Sequence, residues 1–191
     1  MNTIIFATNN EHKVSEVRAV LNGKFNIVSI KEAGIDIDIP EPFDTLEENA
    51  HEKARVIHEI THKSCFAEDT GLEVESLGGQ PGVKSARYAG EERSFEKNID
   101  KLLMNLENHQ NRKAQFRTVI CLLLNGQENF FEGTCKGTII AERRGISGFG
   151  YDPIFVPDGS DKTFAEMSME EKNIFSHRKK AIDQLLSFLK K

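Results

Sequence analysis

The chain has 191 residues, with 25 basic and 30 acidic side chains, a formal charge of −5, and 38 % hydrophobic residues that include 13 Phe. That length carries one domain with a sizeable core, and the apolar content excludes a wholly disordered chain. No apolar run approaches the ~18 residues of a membrane span, and a mildly acidic chain is ill suited to broad binding of nucleic acid or anionic membrane.

In chain order, Ile4 to Ala7 reads as a short apolar strand, with no basic segment before it and too short a run for a signal peptide. Thr8-Asn9-Asn10-Glu11-His12-Lys13 follows, at the start of a helical pattern through Val14, Val17, Val20 and Leu21. A helix N-terminus offers free N–H groups to an anion; Thr8 and Asn10 add side-chain donors and Lys13 a full charge. A plain cap at Asn10 with a solvated Lys13 is the simpler reading of the same residues. There are no glycines here, so this is not a Walker A loop. Phe25 to Ile30 reads as a second strand, and Ile35 to Asp44, broken by Pro40 and Pro42, as a loop or sheet edge.

Thr45 to about His62 reads as a helix. At about 100° per residue, Leu46, Ala50, Ala54, Val56, Ile57 and Ile60 occupy an arc about 160° wide. Asn49 lies within that arc and Lys53 near its middle. A core-facing lysine needs a carboxylate or phosphate partner. The same helix carries His58-Glu59-Ile60-Thr61-His62, which matches a zinc-protease pattern. These histidines fall opposite the apolar arc, where no buried cleft awaits a metal.

Ser64 to Ala67 reads as a strand ending at Glu68-Asp69-Thr70-Gly71. Acids at a strand end are placed to hold Mg²⁺ or activate a water, although successive strand residues face opposite ways unless the chain turns at once. Pairing Glu41 and Asp69 with Lys53 would satisfy the buried lysine and assemble a metal site. Gly78-Gly79-Gln80-Pro81-Gly82 marks a tight loop, and Phe95 to Leu106 a helix. Phe116 to Leu124 and Phe130 to Ala141, joined through Asn125-Gly126, read as a long hairpin.

Arg143 to Pro153 is a Gly-rich loop. In its Gly148-Phe149-Gly150-Tyr151-Asp152-Pro153 a Phe stands between glycines, able to stack on a base, and Pro153 holds Asp152 extended. Ser168 and Glu171 form a capping box. Lys172 and Ser176-His177-Arg178 precede an amphipathic helix from Ala181 to Leu189, which Ser176 can cap. Cations at a helix start oppose its dipole, which hints at a task other than helix stability. Three widely spaced cysteines, at 65, 121 and 135, suit reduced, buried thiols in a cytoplasmic protein. The mixed order of strands and helices implies an α/β domain with a mixed sheet.

Taken together, ATNNEHKVSEV (7–17), EPFDTLEENAHEKA (41–54), FAEDTGLEVESLGGQPGVKSARYAG (66–90), GFGYDPIF (148–155) and EMSMEEKNIFSHRKKA (166–181) resemble the inosine triphosphate pyrophosphatase family over nearly the whole chain. The resemblance implies a single two-lobed α/β domain over 1–191, with a central mixed sheet, long hairpin, flanking helices and a substrate cleft between lobes. It also implies a homodimer and Mg²⁺-dependent hydrolysis of ITP, dITP and XTP to monophosphate and pyrophosphate, which keeps these bases out of DNA and RNA.

Carried over by position, Thr8, Asn9, Asn10 and Lys13 correspond to the triphosphate loop and Lys53 to a phosphate-side cation. Glu41 and Asp69 correspond to the metal-linked acids, with Asp69 the proton acceptor and Thr70 where Ser is usual. Phe149, Gly150, Tyr151 and Asp152 match the base-stacking element, and Lys172, His177 and Arg178 the base-selecting one. Two departures are Glu68, where Asp is frequent, and Asn9, where Gly is common. The nearest enzymatic alternative is a Maf-like pyrophosphatase of other base preference. A non-catalytic nucleotide-binding regulator is the alternative from another class, and the joint presence of Glu41, Lys53 and Asp69 speaks against it.

Overall fold

The computed structural model describes residues 3–21, 23 and 25–190. The elements run β1 (Thr3–Phe6), α1 (Glu11–Leu21), β2 (Asn26–Ser29), α2 (Leu46–Thr61), β3 (Cys65–Val74), β4 (Pro81–Gly82) and α3 (Phe95–Asn105), then β5 (Lys113–Leu124), β6 (Gln127–Ile139), β7 (Phe155–Pro157), α4 (Met169–Phe175) and α5 (His177–Leu189). Among the described residues seven strands form one sheet in the order β2-β1-β3-β5-β6-β7, with β4 paired to β3. β1 is parallel to β2 and β3, whereas β4 runs antiparallel to β3 and β7 to β6, so the sheet is mixed as the element order implied. No described helix is long and apolar enough to cross a membrane.

The chain divides into two compact units, the first from residues 1–69, 118–133 and 178–191, the second from 70–117 and 134–177. Phe6, Val14, Val17, Leu21, Phe66, Ile120, Ile182 and Leu185 belong to the core of the first unit. Leu72, Leu102, Phe116, Tyr151, Phe155 and Phe164 belong to that of the second. Cys65, Cys121 and Cys135 are free and buried, and burial raises the thiols of Cys65 and Cys121 to about 12, which keeps them protonated and unreactive.

Local signals explain most boundaries. Thr45 caps α2 by accepting from Glu48 N, and the left-handed His62 closes it with its N–H on His58 O. Ile60 is 52 % exposed and Val56 half-buried, so the apolar face is narrower than the expected arc. The β5–β6 turn has positive φ at both Asn125 and Gly126, +52° and +77°, as a type I′ turn requires.

β3 departs most from expectation. It does not stop at Ala67 but continues through Glu68, Asp69, Thr70 and Gly71 to Val74, because Leu72 and Glu73 pair with Gly82 and Pro81. Gly71 is therefore no turn. It permits a close backbone approach, since a Cβ there would lie 2.7 Å from Gly82 O. Gly71→Ala is accordingly expected to destabilise by about 1–3 kcal/mol, read as a lower denaturation midpoint with unchanged slope; an unaltered midpoint would count against that steric reading.

Candidate active site

In the first unit the chain leaving β1 is shaped by its own side chains. Thr8 Oγ1 accepts from Asn10 N at 3.1 Å, and Asn10 Oδ1 accepts from the N–H groups of His12 and Lys13 at 3.0 and 3.2 Å. Asn10 is thus a helix cap. Asn9 is exposed and its amide donates to Ile37 O at 2.9 Å. The cap places Lys13 in the first turn of α1, where its ammonium sits 3.2 Å from Glu68 Oε1.

Lys53 lies on the buried face of α2 with Leu46, Asn49, Ala50, Ala54 and Ile57. Its ammonium donates to Glu41 at 2.5 Å and to Asp69 at 3.1 Å. Asn49 explains how Glu41 gets there. Its side chain accepts from Phe43 N and donates to Phe43 O, both at 3.0 Å, pinning the Pro-bounded loop against α2. Burial works against the Lys53 charge, but Asp69 and then Glu41 outweigh it, and the lysine is held above its ordinary value.

Asp69 shows the opposite balance. Burial raises its carboxyl, Lys53 and Lys13 draw it down, Glu41 raises it, and the net shift is upward. Its Oδ2 is buried with no hydrogen-bond partner among the described residues. A carboxylate oxygen left without a hydrogen-bond partner, with a second carboxylate on the same ammonium, is a ligand for a hard cation. Among the described residues no three His, Cys, Asp or Glu side chains form a metal cage by themselves. Glu41 and Asp69 are the carboxylates of this group that would hold a cation.

Glu68 goes elsewhere. Being next to Asp69 in a continuing strand, it faces the other way. Arg178 donates to it from Nε at 3.0 and 2.8 Å and from Nη2 at 2.9 Å, and Arg178 Nη1 also donates to Glu16. Burial opposes ionisation of Glu68, yet Arg178 and Lys13 prevail and hold the carboxyl at about 2. Arg178 itself is only 2 % exposed. Glu16 had little sequence signal: a glutamate three residues after Lys13 reads as ordinary helix-surface charge.

In the second unit the capping box of Ser168 and Glu171 starts α4, and Lys172, one turn in, is buried. Its ammonium donates to Asp152 Oδ2 at 2.6 Å and lies 5.3 Å from the Phe149 ring centre and 5.2 Å from that of Phe164. Asp152 Oδ2 also accepts from Phe149 N at 3.0 Å. His177 is buried and stacked on Phe116, with ring centres 4.7 Å apart and planes 15° apart. Tyr151 is a core residue whose hydroxyl donates to Ser85 O at 2.8 Å, and burial raises its pKa. Thr70 and Gly150 are half-buried, and Gly150 has a φ of +61°.

The expected residues thus form distinct groups: Thr8 to Lys13 with Glu68 and Arg178, the Glu41–Lys53–Asp69 triad, and Phe149, Asp152 and Lys172. The zinc-pattern histidines join none of them. His58 Nδ1 is 2.8 Å from Lys63 O, and His62 is exposed.

The sequence model of the Ham1 family matches residues 4–188. A dITP/XTP pyrophosphatase of Porphyromonas gingivalis is 52 % identical over 190 residues, spanning 99 % of this chain and 98 % of that one. One of Flavobacterium psychrophilum is 49 % identical over 98 % of each chain. The Staphylococcus aureus Ham1 protein superposes with a TM-score of 0.88 at 41 % identity, covering 99 % of this chain and 98 % of that one. A Coxiella burnetii HAM1 protein does so with a TM-score of 0.90 at 36 % identity, covering 100 % and 99 %.

Proposed function

The chain belongs to the Ham1 family, and we propose that it is a Mg²⁺-dependent pyrophosphatase of deaminated purine nucleoside triphosphates (ITP, dITP and XTP), working as a cytoplasmic homodimer with 1–191 as one catalytic domain. The observation that carries the reading is the Glu41–Lys53–Asp69 group, with Lys53 and Asp69 buried, Glu41 half-buried and an Asp69 oxygen left open. It supplies a cation, two anionic oxygens and a carboxylate of raised basicity in one place. The dITP/XTP pyrophosphatases that match the chain end to end support the substrate class.

Hydrolysis adds water across the anhydride between the first and second phosphates, giving a monophosphate and pyrophosphate. Such chemistry depends mostly on positioning and charge compensation. The Thr8–Lys13 loop binds phosphate through donors at the start of α1, with Lys13 as its charge. Lys53 neutralises phosphate oxygens and orients Asp69, which takes the proton of the attacking water. Glu41 and Asp69 suit Mg²⁺, which would supply electrostatic stabilisation of the charged phosphates.

Base recognition falls to the other residues. Phe149 offers a face for stacking, with Gly150 and Tyr151 shaping its loop. Lys172 and His177 carry N–H donors suited to a 6-oxo group, which a 6-amino group would meet as a repelling donor, whereas the Arg178 guanidinium, expected beside them, is engaged by Glu68 and Glu16.

A substrate panel tests the reading. With Mg²⁺ the purified protein should release pyrophosphate from ITP, dITP and XTP at least ~10²-fold more efficiently than from ATP or GTP, and EDTA should abolish turnover. Absence of pyrophosphate from all three would remove the proposal, and preference for dTTP, UTP or methylated GTP would replace it with the Maf-like activity. Sedimentation at micromolar concentration tests the dimer.

A further inference from the structure

Asp152 Oδ2 is the meeting point of three features of the second unit. It accepts from Phe149 N at 3.0 Å, it accepts from the Lys172 ammonium at 2.6 Å, and it lies where the side chain of residue 148 would be. A Cβ built on Gly148 would stand 2.1 Å from Asp152 Oδ2 and 3.0 Å from its Cγ. Gly148 also has a φ of +76°, in the left-handed region. Two demands for glycine coincide at one position, and only one of them concerns the backbone.

Asp152 has little room to yield. It is buried and joined to a buried lysine on α4, and the Phe149 N–H ties it back to the loop. Moving the carboxylate off residue 148 therefore moves Lys172 or breaks a buried charged hydrogen bond. Either change disturbs the ammonium that lies 5.3 Å from the Phe149 ring.

We infer that Gly148 is a specificity-positioning residue: its missing side chain lets one Asp152 oxygen lock the Lys172 ammonium beside the Phe149 ring, in the arrangement that reads the purine. It touches no reacting atom. The inference rests on the assignment of base recognition to this group, and it places the discrimination of hypoxanthine from guanine in a geometry that a single methyl group would disrupt.

The test compares Gly148→Ala with Gly78→Ala. Gly78 also has a left-handed φ, +62°, but nothing lies within 4 Å of a Cβ there, so it reports backbone strain alone. Titration calorimetry of non-hydrolysed ITP and GTP analogues runs beside steady-state turnover. Gly148→Ala should weaken ITP binding and raise its KM by ~10-fold or more, and shrink the ITP-over-GTP preference by a similar factor, with kcat within ~3-fold. Gly78→Ala should shift only Tm. Equal behaviour of the two variants, or an unchanged preference in folded Gly148→Ala, overturns the inference.

If Gly148→Ala does not fold, the Asp152→Ala background decides. With the carboxylate gone, the approaches at 2.1 and 3.0 Å vanish and only the 3.2 Å one to the Cβ of residue 152 remains, so adding Gly148→Ala should leave ITP affinity where Asp152→Ala put it. A further loss of affinity refutes the positioning role. A wild-type protein that binds ITP and GTP alike fails the functional reading itself, a result visible before any variant is made.

Discussion

Replacing Asp69 by Asn is expected to lower kcat for ITP by ~10² to 10⁴-fold while leaving KM within ~3-fold. The substitution nearly preserves shape. An Asn oxygen can still accept from Lys53 at the 3.1 Å position of Asp69 Oδ1, so the lysine keeps a partner there besides Glu41. What disappears is the group able to take a proton, together with the anionic oxygen that is left open in the buried site. Those two losses separate on a Mg²⁺ titration. A rate that stays low at saturating Mg²⁺ identifies a lost base, and a rate restored by excess Mg²⁺ reassigns Asp69 as a ligand. Unchanged turnover would remove Asp69 from the chemistry altogether.

Arg178→Met should produce the largest stability effect, about 3–5 kcal/mol, seen as a fall in Tm of roughly 6–20 °C. The guanidinium is buried with Glu68 and Glu16, and its removal takes a shared positive charge from both buried carboxylates, of which Glu68 keeps its ion pair with Lys13. Arg178→Lys should recover little, since one ammonium cannot reproduce a fork that engages two carboxylates. A variant melting within ~2 °C of the parent would contradict this account.

The same group has an acid signature. The Glu68 carboxyl ordinarily titrates at 4.5 and is held at about 2 in the fold. Its contribution is therefore complete above pH 4.5 and declines as the pH falls from there toward 2. Glu68→Gln should flatten that part of the stability profile, and an unaltered slope between those values would show that other groups govern it.

Much of the candidate site was legible because its signals are local. Lys53 could be placed on the buried face of α2 from the spacing of Leu46, Ala50, Ala54 and Ile57, since helical periodicity depends only on near neighbours. The need of that lysine for Glu41 and Asp69 followed from the desolvation of a buried charge. Caps at Asn10 and Ser168 likewise announce where Lys13 and Lys172 begin their helices.

The destination of Glu68 was not legible in this way. Local pattern ended its strand at Ala67, and a chain turning there could have brought both acids to one metal. Pairing with β4 carries the strand onward instead, and the alternation of side chains sends Asp69 to Lys53 and Glu68 to Arg178.

The sequence by itself determined the α/β class, the helix faces and caps, the hairpin turn and, through a joint pattern spread along the chain, the family. The tertiary structure alone decided which charges meet. Arg178 stands 110 positions from Glu68 and 162 from Glu16, beyond the reach of any local periodicity. The formal charge of −5 says nothing of such meetings, because burial and pairing, rather than the sum of charges, set where a phosphate or a cation can be held.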